Sequence, residues 1–210
     1  VTDARTNILA RLRQAERTGR VPVASAPIQI PPAVPRAIDE RVRRFVEELA
    51  ALGVEAHVET AAADVRARVA SIVAGLTVFS WDPACLPYDV ASVIPNAIRG
   101  DSPRDQQAAA GIGVTGCDAA LADTGSLVLL TGAGRPRAAS LLPPTHLAIV
   151  RLNDLRDGAE EYFRDRGDAI ASAANCTFVT GPSRTADIEL TLTVGVHGPG
   201  RVIVVVGPTV

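Results

Sequence analysis

The chain has 210 residues, 47% of them apolar, and a formal net charge of −2. That suffices for one domain with a sizeable core, and the near-neutral balance without a basic block argues against nucleic acid or an anionic membrane as main partner. Every cationic side chain is arginine and none is lysine, which excludes Schiff-base catalysis and a Walker-A phosphate loop.

Residues 3–18 place Ile8, Leu9, Leu12 and Ala15 on one face of an amphipathic helix. Prolines 22, 27, 31, 32 and 35 then exclude regular helix and predict an extended connector. Residues 1–35 therefore read as an arm, packed on its own domain or on a partner subunit, and 36–210 as the main domain. Ile38, Val42, Phe45, Leu49 and Leu52 recur at helical spacing, with Gly53 as the stop. A strand over 54–58, a helix over 63–74 and a strand over 76–80 follow. This alternation predicts an α/β fold with a mostly parallel sheet flanked by helices.

Trp81 directly after a strand is placed to wall a pocket or simply to pack. Gly111-x-Gly113-x-x-Gly116 matches the dinucleotide fingerprint in spelling only: no convincing strand precedes it and no acidic residue follows at the ribose position. Ala-rich residues 118–122 suggest a short helix. Thr124-Gly125-Ser126 turns into an apolar strand over 127–130. A loop carrying Arg135 and Arg137 leads through Pro143-Pro144 to a strand over 147–150. Residues 154–173 read as one helix, and 176–179 and 202–206 as buried strands.

Three cysteines, Cys85, Cys117 and Cys176, stand far apart with no C-x-x-C. No iron–sulfur cluster or Cys-rich zinc site is expected within the chain. The odd count and the lack of a signal-peptide pattern point to the cytoplasm, and no apolar run is long enough to span a bilayer. Cys117 and Cys176 read as buried thiols.

The densest chemistry lies at Thr180-Gly181-Pro182-Ser183-Arg184-Thr185-Ala186-Asp187-Ile188-Glu189, running on to His197-Gly198-Pro199. Gly181 and Pro182 break the preceding strand. Ser183 or Thr185 is then placed to cap a short helix, with Asp187 and Glu189 near its first turn. Backbone N–H groups, two hydroxyls and the Arg184 fork converge there, which is the chemistry of an anion pocket. A capped turn with solvated charges is the plainer alternative. Leu190, Leu192, Val194 and Val196 alternate with polar residues, so the stretch after Glu189 reads as extended or as a continuing helix. Asp187, Glu189 and His197 form a candidate proton-handling set. Equally, His197 is suited to bonding its own turn while the carboxylates pair with Arg184.

Taken together, Thr124-Gly125-Ser126-Leu127-Val128, Arg137 through Pro143-Pro144-Thr145-His146, Gly181 to Glu189 and Gly195-Val196-His197-Gly198-Pro199 resemble the LUD-domain lactate-utilisation family. The short chain resembles its small C subunit. The resemblance spans residues 36–207 and is strongest from Thr115 onward. It implies a fold similar to the sugar-phosphate isomerase and CoA-transferase superfamily. It also implies a part in oxidising L-lactate to pyruvate beside other lactate-utilisation subunits, with iron–sulfur clusters in those partners and no cofactor in this chain. The candidate residues for binding a small carboxylate or other anion are Thr124, Gly125, Ser126, Arg137, Gly181, Ser183, Arg184 and Thr185, with no metal ligands. A free-standing enzyme acting on a phosphorylated or CoA-linked substrate is the alternative.

Overall fold

The computed structural model describes residues 3–18, 35–186 and 192–209. The proline-rich stretch 19–34, together with Asp187, Ile188, Glu189, Leu190 and Thr191, lies outside the described residues. Two units are described separately, Val1–Val34 and Pro35–Val210. In the first, α1 (Ala4–Thr18) forms as its spacing predicts and leaves Ile8, Leu9 and Leu12 exposed.

The second unit runs α2 (Ile38–Ala51), β1 (Glu55–Val58), α3 (Ala62–Val73), β2 (Val78–Ser80), α4 (Arg104–Ala108) and β3 (Ile112–Thr115). It continues with β4 (Ala119–Leu121), β5 (Ser126–Thr131), β6 (Thr145–Arg151), β7 (Leu155–Arg156), α5 (Ala159–Ser172) and β8 (Asn175–Val179). Last come β9 (Arg184–Ala186), β10 (Leu192–Val194) and β11 (Arg201–Gly207).

Five strands form a wholly parallel sheet in the order β1-β11-β6-β3-β2. Its centre is apolar on both faces: β11 buries Val202 to Val206 and β6 buries Leu147 to Val150. That explains why these stretches read as unbroken apolar runs rather than alternating ones. Helix α2 buries Phe45 and Leu49 and half-buries Val42 and Leu52, while Ile38 at its start stays exposed. Helix α3 buries Val65, Val69 and Val73. The predicted α/β alternation is therefore present.

A second, four-stranded sheet in the order β7-β4-β5-β8 was not anticipated. It is mixed, with β5 antiparallel to both β4 and β8. Three expectations are corrected by it. Residues 118–122 are not a helix: Ala119–Leu121 is a fully buried strand, because pairing with β5 on one side and β7 on the other outweighs alanine's helix preference. The helix expected from residue 154 begins at Ala159, since Leu155 and Arg156 are taken up as the edge strand β7. The strand before Thr180, expected to be buried, is the edge strand β8 of this mixed sheet, with Cys176, Thr177 and Val179 half-buried and Phe178 exposed.

The helix expected at Ser183 is also absent. Arg184–Ala186 pairs antiparallel with Leu192–Val194. Ser183 N–H donates to Pro199 O at 2.9 Å and Ser183 O accepts from Gly195 N–H at 2.9 Å. The returning segment thus claims the backbone groups that a helix would have used. Cys117 is buried, whereas Cys176 is only half-buried.

Of the three fingerprint glycines, Gly113 lies within strand β3 while Gly111 and Gly116 flank it, so they do not form a strand–helix turn. A Cβ on Gly113 would lie 1.7 Å from the carbonyl oxygen of Ala139. Glycine is needed there for close packing of the single 3-10 turn Arg137–Ser140, not for a pyrophosphate.

Candidate functional site

Three adjacent strands of the parallel sheet, β2, β3 and β6, end on one side of the molecule. There they feed Trp81, then Gly116-Cys117-Asp118, then Arg151 with Asp154. Such carboxyl ends are where open α/β sheets bind ligands. A cleft of about 150 Å3 opens at this edge. Arg135, from the loop after β5, and Arg166, from α5, complete its charged wall.

The backbone of Trp81 is fixed from two directions. Its N–H donates to Val114 O at 3.1 Å, and its carbonyl accepts from the Arg99 guanidinium, which also holds Ser80 Oγ. The indole is 3% exposed, and its N–H has no acceptor among the described residues. Arg135 lies over the ring, its guanidinium carbon 5.5 Å from the centroid, a favourable cation–π placement. Its Nη1 also donates to Asp118 Oδ1 at 2.6 Å, and Asp118 Oδ2 accepts from Leu130 N–H at 2.8 Å. Asp118 is thereby tied to β5 while holding Arg135 over the indole.

Across the cleft, Arg151 donates to both oxygens of Asp154, at 2.6 and 3.2 Å. Burial pushes the Cys117 thiol well above its ordinary range, with Asp154 and Asp118 adding to the shift. Cys117 is consequently a neutral packing group rather than a thiolate nucleophile.

The rim at Cys85 to Pro87 is set by a strained turn. Tyr88 and Asp89 have φ of 58° and 54°, in the left-handed region that non-glycine residues seldom adopt. Tyr88 Oη donates to Pro208 O at 2.6 Å, and Arg66 donates to the Tyr88 carbonyl at 3.0 Å. Burial raises the phenol to about 12.

The residues singled out from sequence fall elsewhere. Thr124, Ser126 and Thr180 form a chain of hydroxyls with steps of 2.8 Å and 2.8 Å, so the two predicted turns do meet. They meet against the C-terminal end of α2. Gly125 and Gly181, at φ of 64° and 79°, each bring backbone against Leu52. Arg184 is exposed and donates from Nη2 to Leu52 O at 2.6 Å, an arginine capping a helix end. Ser183 is held by its backbone bonds to Pro199 and Gly195, and Thr185 pairs in register with Thr193. His197 is exposed, and its proposed partners Asp187 and Glu189 lie outside the described residues. Arg137 is exposed at the start of the 3-10 turn; of the two loop arginines, Arg135 is the one in the cleft.

Of the cleft residues, sequence reasoning had marked only Trp81 as a pocket wall. Asp118, Arg151 and Asp154 each directly follow a strand of the sheet, or nearly so, which was a usable signal. Arg166 gave none, since it reads as an ordinary solvated helix position.

The model of the LUD domain family matches residues 42–206. The chain belongs to that family. A protein named Lactate utilization protein C from Geobacillus sp. (strain WCH70) is 33% identical to it over 71% of this chain and 70% of the relative. One of the same name from Anoxybacillus flavithermus is 31% identical over 71% of this chain and 72% of the relative. Another, from Bacillus licheniformis, is 36% identical over 63% of this chain but only 51% of the relative. The crystal structure of a DUF162 family protein from Deinococcus radiodurans matches with a TM-score of 0.68 at 23% identity, covering 82% of this chain and 99% of that one. That likeness shows the α/β fold with its five-stranded parallel sheet. No described helix is long and apolar enough to cross a membrane.

Proposed function

We propose that this LUD domain serves lactate utilisation as one subunit among several, holding a small anion in the cleft beside Trp81 while partner subunits carry the redox centres. The name shared by its relatives supports the pathway. The observation that carries the binding role is the cleft: three arginines against two aspartates, at the carboxyl ends of three parallel strands.

The paired turns around Leu52 serve assembly on this reading. Arg184, Val194, Val196 and His197 are all exposed on the segment that includes β9 and β10. Asp187 and Glu189 lie on the same segment in sequence. They and His197 are proposed as contacts with a partner subunit, with Thr124, Gly125, Ser126, Gly181, Ser183 and Thr185 shaping the base of that segment.

The test is growth on L-lactate as sole carbon source. A strain lacking this chain should lose that growth and regain it with the wild-type gene, while growth on glucose stays unaffected. The purified chain alone should reduce no dye with lactate, and adding partner subunits should restore the reaction. Isomerase or transferase turnover of a phosphorylated or CoA-linked substrate by the chain alone would replace this reading with that of a free-standing enzyme.

A further inference from the structure

We infer that the free edge of β8 is where a second copy of this chain adds, pairing antiparallel about Thr177 and joining two four-stranded sheets into one. The surface uses none of the residues that line the cleft beside Trp81.

The sheet edges are the first observation. A bare edge offers unpaired N–H and C=O groups to any other strand, and stable folds blunt it with charge, brevity, proline or a covering segment. Three of the four edges of the two larger sheets are blunted. β1 carries Glu55, bonded to both His57 and Arg201. β2 is covered by Ile98, whose N–H donates to Val78 O at 2.8 Å and whose carbonyl accepts from Ser80 N–H at 2.9 Å. β7 is two residues long, and Arg41 donates to its Leu155 carbonyl. β8 has none of these devices. Asn175-Cys176-Thr177-Phe178-Val179 is five residues long, without charge or proline. It pairs with β5 on one side, and among the described residues none of its backbone groups is bonded on the other.

The second observation is aromatic. The chain has four phenylalanines. Phe45 and Phe79 are fully buried, whereas Phe163 and Phe178 are 50% and 40% exposed, with ring centroids 5.9 Å apart. Phe178 comes from β8 and Phe163 from α5, and both rest against the buried ring of Tyr162. Two adjoining exposed rings beside an open edge are the kind of anchor that interfaces bury.

Charge and symmetry select the occupant. A two-fold interface presents the same surface from both sides, so a charge near the axis meets its own like. β8 has no charge to repel. The two charged residues that follow Phe163, Arg164 and Asp165, are tied within the chain to Glu160 and Arg156. Antiparallel pairing about Thr177 uses the whole strand: Thr177 faces its own copy, Cys176 faces Phe178, and Asn175 faces Val179. Because side chains alternate, Cys176 and Phe178 share a face. The two Phe178 rings then become diagonal neighbours within reach of each other across the seam, flanked by the Phe163 rings.

The test is sedimentation equilibrium of the full chain from the low to the high micromolar range. A reversible dimer should form. Thr177→Lys and Phe178→Lys, which set a charge against its own copy, should each weaken dimerisation at least tenfold. Leu142→Lys, at an exposed leucine outside β8, should leave it unchanged. Register is read with thiols. In a Cys176→Ser background, Thr177→Cys should be joined to its own copy by a short bismaleimide, and Leu142→Cys should not. The proposal is overturned if the chain is monomeric throughout, if the dimer survives either β8 lysine variant undiminished, or if Thr177→Cys cross-links no more than its background. A monomer that instead captures a partner subunit, in a complex lost on Thr177→Lys, gives the edge to that subunit and overturns the second copy as its occupant.

Discussion

The cleft beside Trp81 and the turns around Leu52 are built from similar side chains, arginine with aspartates in the first and arginine with hydroxyls in the second. In the turns, each polar group is used up locally: hydroxyl to hydroxyl from Thr124 through Ser126 to Thr180, and Arg184 to the carbonyl at the end of α2. In the cleft, the groups surround a space and leave the buried Trp81 N–H without an acceptor among the described residues. A dense polar motif in a sequence marks either case. What separates them is whether the fold closes the groups on one another or holds them apart.

The strongest way to break that contrast is to move the scaffold under the cleft. Gly113→Ala would drive a Cβ into the Ala139 carbonyl at the back of β3. It should cost more than about 4 kcal/mol or abolish soluble expression. A urea midpoint near wild type would show that the 3-10 turn is not held rigidly against β3.

A second expectation concerns His146, fully buried on β6, its Nε2 bonded to Thr115 Oγ1 at 2.9 Å at the end of β3. Burial lowers its pKa to about 4. The unfolded chain takes up this proton first as pH falls below about 6.5, so the stabilising contribution is complete above that pH. It is lost progressively down to about pH 4, by roughly 3 kcal/mol. Urea melts across that range should show the slope, and His146→Gln should flatten it.

Asp118→Asn sharpens the contrast from within the cleft. It leaves Arg135 without its anion, and since Arg135 is partly solvated the cost should be about 2 kcal/mol rather than the larger value for a fully buried pair. Ligand binding should weaken as Arg135 leaves the indole. A melt within 0.5 kcal/mol of wild type, taken as roughly the noise of a surface substitution, would mean that the pair contributes nothing.

Smaller effects belong to the turns. Ser126→Ala should cost about 1 kcal/mol by interrupting the hydroxyl chain, with binding in the cleft unchanged. Arg184→Lys should change stability by less than about 0.5 kcal/mol and leave lactate or pyruvate affinity as it was. A calorimetric loss of affinity in Arg184→Lys would reverse the assignment and return the anion to that turn.

Apolar periodicity made α2, α3, β2, β6 and β11 legible, because each buries a continuous face or run; β1 was legible from its alternation, although none of Glu55–Val58 is fully buried. Residues 118–122 misled because alanine favours helix locally, and only long-range pairing with β5 and β7 turns Ala119–Leu121 into a strand. Ser183 misled for the same reason, its backbone being taken by Pro199 and Gly195. The cleft was hardest to foresee because its members come from five separate segments, and Arg166 differs from any surface arginine only in what the fold puts opposite it.

The place of β11 has a bearing on synthesis. It lies in the interior of the parallel sheet, between β1 and β6, and its Arg201 contacts Glu55 across 146 residues of chain. A ribosome adding about 5–20 residues per second needs roughly 7 to 30 seconds to span that gap. Throughout that interval β1 has no neighbour, and for its last third β6 presents a bare apolar edge, the two conditions that invite strand-mediated aggregation. The nascent chain therefore depends on shielding until β11 emerges, because only then does the sheet close.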